Sequence, residues 1–134
     1  MIVVGWISLA ACAGAAPAAV SAPSSSAEST VELRVGQTVR PDGAPAAITL
    51  DDVHDDSRCP TDATCVWAGD AAVTLRVQPP TGAAERVVLR LNASDARSAR
   101  AAGLSVRFES LEPSPRTGQS IPVDQYRVRL SLVW

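Results

Sequence analysis

The sequence contains no lysine, and all 12 of its basic residues are arginine. Schiff-base and Ser-Lys mechanisms need a lysine amine, so both are excluded. The 12 arginines are balanced by 14 acidic residues, which leaves a formal net charge of −2. Because such a chain has no positive field to hold a polyanion, we expect no nucleic-acid partner.

Aromatic residues are also scarce, at 4% of the chain, although hydrophobic residues reach 46%. The core must therefore consist mainly of Val, Leu, Ile and Ala. A chain of 134 residues is the size of one domain. A small domain with an aliphatic core gains stability from a covalent cross-link, and the chain has three cysteines that can provide one.

The first 11 residues, MIVVGWISLAA, form an uncharged apolar stretch. It is far too short to cross a bilayer as a helix, but it suits the apolar region of a signal peptide. It ends in Leu9-Ala10-Ala11-Cys12, which resembles the bacterial lipobox, whose cysteine is lipidated and becomes the mature N-terminus. Signal peptides normally begin with Lys or Arg, which a start upstream of Met1 would supply. The alternative is that residues 1–11 form a buried strand and Cys12 is an ordinary thiol.

Residues 13–30 are rich in Ala, Pro and Ser and contain a single charged residue, which is typical of a flexible tether. We therefore expect a signal peptide at residues 1–11, a lipidated Cys12 with its tether at residues 12–30, and a folded domain at residues 31–134. The lipobox resemblance implies several acyl chains on Cys12. Such a cysteine anchors the protein stably to a membrane, with the domain facing the periplasm or the cell exterior.

Apolar and polar residues alternate with a period of two in most of the chain after Val31. This period predicts β-strands with one buried and one exposed face. The alternating runs and two shorter apolar runs cover residues 31–35, 48–50, 66–67, 73–77, 87–91, 106–108 and 126–134. Turn segments rich in Pro and Gly separate many of them. We predict an antiparallel β-sandwich of about six or seven strands, with one short connecting helix and one disulfide.

Residues 92–103 interrupt the alternation and predict the short helix. Ser94 suits the N-cap, Asp95 the first turn, Arg100 the last turn and Gly103 the position after the end. The segment has no large apolar side chain, so we expect this helix to lie on the surface between two strands.

Arginine recurs at outward-facing strand positions, which are Arg34, Arg76, Arg90, Arg107, Arg127 and Arg129. Acidic residues lie in or beside the same outer rows, so we expect cross-strand ion pairs. The alternative is that these arginines form an anion-binding face.

The most specific segment covers residues 55–73, DDSRCPTDATCVWAGDAAV. It resembles a motif of small bacterial secreted proteins and lipoproteins, in which Asp-Ser-Arg-Cys-Pro is followed by a short spacer and Cys-Val-Trp-Ala-Gly. The matching residues are Asp56, Ser57, Arg58, Cys59, Pro60, Cys65, Val66, Trp67, Ala68 and Gly69. The resemblance extends more loosely to residues 48–50, to residues 111–113 and to the last strand from Tyr126. It implies an exported β domain, and the family has no assigned activity.

The motif predicts a loop that is closed by a disulfide between Cys59 and Cys65 and leads into a core strand. If Cys12 is lipidated, these two cysteines are left as an even pair. An exported domain also meets the oxidising conditions that join them.

Other residues of the motif have expected structural roles. Pro60 stiffens the loop, and Trp67 packs against the disulfide or the sheet. Gly69 allows a bulge or bend before the next strand. Asp56 and Arg58 pair across the base of the loop.

The acidic residues 51–56 and His54 allow other interpretations. A metal could be held by Asp51, Asp52, His54, Asp55, Asp56 and the cysteines, but Cys-x5-Cys is not zinc spacing and the run does not match an EF-hand. A hydrolase could use an acidic pair or Ser57, but no G-x-S-x-G frame surrounds that serine. A redox role would need a Cys-x-x-Cys pair, which the sequence lacks.

We therefore expect a non-catalytic, lipid-anchored domain of the cell envelope with a binding or structural role. It would use no cofactor, and it would contact the membrane through its lipid and an unknown envelope protein or ligand through its domain. The alternative is a metal-binding or hydrolytic envelope protein that uses residues 51–56 and His54.

Overall fold

The computed structural model describes Gly14 and residues 26–134. Within this part of the chain, eight β-strands form two four-stranded antiparallel sheets. The strands are β1 (Glu28–Leu33), β2 (Thr38–Val39), β3 (Ala47–His54), β4 (Ala72–Gln78), β5 (Glu85–Arg90), β6 (Ser98–Ala101), β7 (Leu104–Glu112) and β8 (Arg127–Val133). The first sheet has the order β1-β8-β7-β6 and the second has the order β2-β3-β4-β5. The predicted antiparallel β-sandwich is confirmed.

The predicted signal peptide, Cys12 and most of the predicted tether lie outside the described residues. In the part that is described, no helix is long and apolar enough to cross a membrane. β1 starts at Glu28, before the predicted domain boundary at residue 31. Ala27 also exchanges backbone hydrogen bonds of 2.9 and 3.0 Å with Trp134. The folded domain therefore begins inside the predicted tether.

The core lies between the two sheets and consists of the inward-facing residues of the alternating strands. Its fully buried members include Val73, Leu75, Val77, Val106, Phe108, Val128, Leu130 and Leu132. Phe108 is the one fully buried aromatic side chain among the described residues. Burying each large apolar side chain stabilises the fold by about 1.5–3 kcal/mol. The period of two therefore marks the core correctly, and the core is aliphatic as the composition predicts.

The prediction of a helix at residues 92–103 is wrong. This segment is a turn followed by β6, which pairs with β7 from Ser98 opposite Arg107 to Ala101 opposite Leu104. Ala102 and Gly103 form the two-residue hairpin loop, with φ values of 48° and 77°. Positive φ at both positions is typical of the type I′ turn that joins antiparallel strands. Pairing with β7 therefore outweighs a helix signal that rested on capping residues alone. The helical structure in the described residues is a 3-10 turn at Val123–Gln125.

The prediction of a strand at Val66 and Trp67 is also wrong, because the chain from residue 55 to residue 71 makes an irregular loop between β3 and β4.

A bulge interrupts β7 between Phe108 and Ser110, where one extra residue enters the ladder with β8. Here the side chain of Arg97 donates hydrogen bonds to the backbone oxygen of Phe108 at 2.9 Å and that of Glu109 at 3.1 Å. The bulge therefore fixes an arginine from the turn that precedes β6.

Five of the six predicted outward arginines make ion pairs. The pairs are Arg76 with Asp51 at 3.3 Å, Arg90 with Asp55 at 3.5 Å and with Asp70 at 3.8 Å, Arg107 with Glu109 at 3.2 Å, and Arg127 and Arg129 with Glu32 at 3.9 and 3.8 Å. The expected cross-strand pairing is confirmed for Arg76, Arg127 and Arg129, whereas Arg107 pairs within β7 and Arg90 pairs with residues between β3 and β4. Each exposed pair adds only a few tenths of a kcal/mol, so their role is in solubility more than in stability.

Candidate functional site

The connection between β3 and β4 contains the specific motif, and we call residues 57–70 the stapled loop. Its two limbs run side by side, because Ser57 N donates to Asp70 O at 2.7 Å and Cys59 N donates to Ala68 O at 2.9 Å. Further along, a disulfide joins Cys59 to Cys65. The predicted disulfide is therefore confirmed, and it closes the outer part of a loop whose inner part is already paired by its backbone.

Gly69 lies where the two limbs come closest. Its φ is +68°, and a Cβ atom at this position would overlap the carbonyl group of Ser57. The predicted bend at Gly69 is present, and glycine is needed there for both reasons. The hydroxyl of Ser57 also donates to Asp70 O and accepts from Asp70 N, each at 3.1 Å. Ser57 therefore links the limbs of the stapled loop.

At the base of the stapled loop, Asp56, Arg58 and Tyr126 form a hydrogen-bonded group that we call the Asp56 network. Arg58 Nε donates to Asp56 Oδ1 at 2.8 Å, and Arg58 Nη2 donates to Asp56 Oδ2 at 2.9 Å. The hydroxyl of Tyr126 donates to Asp56 Oδ2 at 2.7 Å. The side chains of Arg58 and Asp56 are only 10% and 14% exposed. The predicted pairing of Asp56 with Arg58 is confirmed, and it is two-pronged and largely buried.

Arg58 also connects the stapled loop to the other sheet. Its Nη1 donates to the backbone oxygen of Leu111 at 2.8 Å, and its Nη2 donates to that of Pro113 at 2.9 Å. These carbonyls lie at the end of β7, and Tyr126 lies immediately before β8. The Asp56 network therefore joins a loop of the second sheet to two adjacent strands of the first.

The rest of the stapled loop is supported from both sides. On one side, Thr61 N donates to Pro115 O at 3.0 Å, and Thr117 donates to Asp62 Oδ1 from its backbone at 2.9 Å and from its hydroxyl at 3.0 Å. On the other side, Asn92 Nδ2 donates to Gly69 O at 2.8 Å. The loop is thus a fixed projection of the sandwich.

Hydrogen bonding within this region changes three pKa values. Burial alone would raise the pKa of Asp56, but the hydrogen bonds from Arg58 and Tyr126 outweigh it and hold this pKa below its ordinary value. Burial and the hydrogen bond to Asp56 raise the pKa of Tyr126 to about 12. The hydrogen bonds from Thr117 lower the pKa of Asp62. Asp56 and Asp62 are therefore ionised, and Tyr126 is protonated, at neutral pH.

Two large apolar side chains are exposed on the returning limb of this loop, between the disulfide and Ala68. Val66 is 93% exposed and Trp67 is 80% exposed. The prediction that Trp67 packs against the disulfide or the sheet is therefore wrong. The core is filled by the aliphatic residues of the two sheets. The loop is held by its hydrogen bonds and by the disulfide, and the indole of Trp67 contributes to neither the core nor these contacts. We call Val66 and Trp67 the loop tip.

The residues of the alternative metal or hydrolase interpretation make separate contacts, except that His54 and Asp55 bond to each other. His54 bonds to Asp55 Oδ2 at 3.2 Å through Nδ1 and to Thr74 Oγ1 at 3.0 Å through Nε2. Asp51 pairs with Arg76, and Asp56 belongs to its own network. Among the residues that the structure describes, no three His, Cys, Asp or Glu side chains are grouped to hold a metal ion.

Sequence reasoning missed several residues that hold this site. Tyr126 was assigned only to a strand, and the supporting roles of Asp62, Asn92 and Thr117 were not recognised. A signal for Tyr126 would be the expected resemblance, which stays a prediction and was extended to residues 111–113 and to Tyr126. These segments contact the central motif in space although they lie far from it in sequence.

Comparison with known protein families, with curated proteins and with solved structures finds no match for the chain. Its class is therefore defined by the fold and the site: a disulfide-containing antiparallel β-sandwich with a stapled loop. A disulfide of this kind is typical of proteins that fold in oxidising surroundings outside the cytoplasm.

The single tyrosine of the chain permits a direct test of the Asp56 network. Tyr126 ionises at about 12 in the folded protein, against its ordinary 10.0. A raised folded-state pKa stabilises the protein below the unfolded value, and this contribution is lost as the pH rises to the folded value. We therefore expect the near-ultraviolet absorbance of tyrosinate to titrate later in the native protein than in urea. We also expect the free energy of unfolding to fall from pH 10 upward, and Tyr126→Phe to lack this component.

A matched pair of variants identifies the cause of the raised pKa. Asp56→Asn removes the carboxylate that accepts the hydroxyl proton, so the titration of Tyr126 should move back toward the ordinary value. Asp42→Asn changes an exposed carboxylate in a distant turn and should leave the titration unchanged. A native titration already near 10 in the wild type would contradict the geometry of the network.

A second prediction concerns the guanidinium of Arg58. Arg58→Lys keeps the charge but loses the two-pronged contact with Asp56 and at least one carbonyl contact. We expect the free energy of unfolding in urea to drop by about 2–4 kcal/mol. The control Arg76→Lys changes a half-exposed arginine on the outer face and should cost less than about 0.5 kcal/mol. Equal losses in the two variants would show that Arg58 is an ordinary surface residue.

Proposed function

We propose that this chain is a non-catalytic domain, anchored by lipid in the bacterial cell envelope, that binds another envelope protein through its loop tip. The observation that carries the proposal is the 93% exposure of Val66 and the 80% exposure of Trp67 on a loop that is otherwise fixed. A protein with few aromatic residues thus places one of them at a protruding point of its surface.

A fixed loop with an exposed tryptophan has the properties of a binding site. Tryptophan is among the residues that contribute most to protein–protein binding, because it buries a large area at low entropic cost. The stapled loop is held by its disulfide, by paired limbs and by the Asp56 network, so little conformational entropy is lost when it is bound. Val66 next to Trp67 extends the apolar surface that a partner would cover.

The position of the loop in the sandwich supports a partner away from the membrane. The tether joins the domain at Glu28, which pairs with Val133 at the end of β8. The Asp56 network includes Tyr126, just before the start of β8. The seven residues of β8 span about 20 Å. The stapled loop and the tether therefore lie at opposite ends of the first sheet, and an anchored domain would present the loop outward.

The location in the envelope is supported by two independent features. The disulfide favours an oxidising compartment, and Leu9-Ala10-Ala11-Cys12 resembles a lipobox. The chain between Cys12 and Glu28 reaches at most about 55 Å, at about 3.4 Å per residue. A lipid on Cys12 would thus keep the domain close to one membrane and let it reach partners nearby.

The loop tip is tested by chemical cross-linking in the native envelope, followed by mass spectrometry of the captured proteins. We expect one protein to be recovered with the wild type and its recovery to fall by about thirtyfold with Trp67→Ala, since a central aromatic contributes on the order of 2 kcal/mol to binding. The control Val123→Ala truncates a half-exposed valine before β8 and should leave recovery unchanged. The captured protein, once purified, should bind the wild-type full chain and Val123→Ala with similar affinity and should bind Trp67→Ala more weakly. Recovery that is equal for Trp67→Ala and the wild type would contradict the proposal.

The lipid anchor has its own test. The N-terminal peptide of the wild-type protein should begin at Cys12 and carry the mass of several acyl chains. Cys12→Ser should move the protein from the membrane fraction to the soluble fraction while the Cys59–Cys65 disulfide still forms. The control Ser21→Ala lies in the predicted tether and should remain in the membrane fraction. An unmodified Cys12 in the wild type would contradict the proposed lipid anchor. The proposed role of the loop tip would still be tested by the cross-linking experiment.

A further inference from the structure

A pocket of about 350 Å³ opens at the side of the sandwich, where the chain crosses from β5 of the second sheet to β6 of the first. Its lining residues are Leu91, Asn92, Ser94, Arg97, Ser98 and Arg107. All of them except Leu91 are polar, two are arginines and none is acidic. The pocket thus combines fixed positive charge with hydroxyl and amide groups.

Arg97 is the central group of this pocket. Its guanidinium is half-buried and is oriented by the backbone oxygens of Phe108 and Glu109 at the β7 bulge. Within the described residues no carboxylate lies within ion-pair distance of it, in contrast to most outward arginines of the strands. A guanidinium has five N–H donors, and the two carbonyls use two of them. The remaining donors of a positioned, unpaired cation are available to a ligand.

Arg107 adds a second guanidinium on the same side. It lies directly opposite Ser98 in the β6–β7 ladder, so the two side chains share the outer face of the first sheet. Arg107 Nε pairs with Glu109 Oε1 at 3.2 Å, and that same oxygen accepts a hydrogen bond from Ser131. The charges of Arg97, Arg107 and Glu109 together leave one net positive charge at the pocket.

We infer that this pocket binds the carboxylate or phosphate group of a small organic anion about the size of a monosaccharide. The planar fork of arginine matches both groups through paired N–H···O bonds. Pockets for small molecules have volumes of about 300–1,000 Å³, so this one is larger than a bare phosphate ion needs. Ser94 and Ser98 supply hydroxyls for the polar body of the ligand, and Leu91 supplies one apolar contact. The bound anion provides the counter-charge that Arg97 lacks in the protein.

The inference is tested by calorimetry and by side-chain NMR of the full chain with four probes. Glucuronate carries a carboxylate, glucose 6-phosphate carries a phosphate, glucose is uncharged and inorganic phosphate lacks an organic body. We expect saturable binding of glucuronate, glucose 6-phosphate or both, with resonance shifts at Arg97 and Arg107 and with tighter binding than glucose or inorganic phosphate shows. Tighter binding of glucuronate would identify a carboxylate as the preferred group, and tighter binding of glucose 6-phosphate would identify a phosphate. The inference is overturned if neither binds at concentrations on the order of 10 mM, or if inorganic phosphate binds as tightly as the organic anions.

Three variants assign the binding to the pocket. Arg97→Gln should weaken it about tenfold, because a charge-assisted pair of hydrogen bonds is lost. Arg107→Gln should weaken binding several-fold. If Arg97→Gln lowers the melting temperature because its contacts to β7 are lost, the result with Arg107→Gln is the one that tests whether the pocket binds the anion. Arg127→Gln is the control, since Arg127 lies on the same outer face but pairs with Glu32 outside the pocket. Binding that is unchanged in both pocket variants, or equally weakened in Arg127→Gln, would overturn the inference.

Discussion

The ion pair between Arg58 and Asp56 is the contact through which the two sheets hold the stapled loop. Removing two charges from water costs several kcal/mol for each ion, and only good geometry with further hydrogen bonds offsets this. Both conditions are met here: Asp56 accepts from Arg58 and Tyr126, and Arg58 also donates to Leu111 and Pro113. No buried side-chain polar atom in the described part of the chain lacks a partner. The pair therefore specifies how the loop sits on the sandwich more than it adds net stability.

Within the stapled loop, fixed and exposed parts are separated along the chain. The base is held by the Asp56 network, the limbs are paired through Ser57 with Asp70 and Cys59 with Ala68, and the disulfide closes the outer ring. Closing a ring of this size contributes about 2 kcal/mol in the chain-entropy description. None of these contacts uses Val66 or Trp67. The contacts that hold the loop are thus made without these two side chains, and the proposed binding role rests on their exposure.

The sequence alone predicts the sandwich and most of its strands, because these depend on local pattern, and it predicts the disulfide from the motif and the number of cysteines. Val73, Leu75 and Val77 alternate with polar residues, and β4 follows directly from that period. β6 was missed because its only inward residues are alanines and its flanks look like helix caps. Its partner β7 decides its conformation, and that pairing is invisible in the segment itself. The two-residue β2 is too short to carry a period at all.

The candidate sites were predicted less completely, because their contacts join residues that lie far apart in the sequence. The link between Asp56 and Arg58 spans two positions of the chain and could be anticipated, whereas Tyr126 reaches Asp56 across 70 positions. Arg97 likewise depends on carbonyls that only the bulge in β7 presents to it. Contacts of this kind follow from the topology, and a single sequence shows them only through a resemblance that already includes both partners.

The close approach of Gly69 to Ser57 has a consequence for how this protein can diversify. Any side chain at Gly69 would push the limbs apart, so mutation there is constrained however the protein is used. The exposed positions from Thr61 to Trp67, in contrast, contribute little to the core apart from the cysteine bridge and the contacts of Thr61 and Asp62. Side chains at exposed positions of the loop that make no such contacts can therefore be exchanged while its frame is kept. An engineer could likewise graft short recognition sequences there without redesigning the domain beneath them.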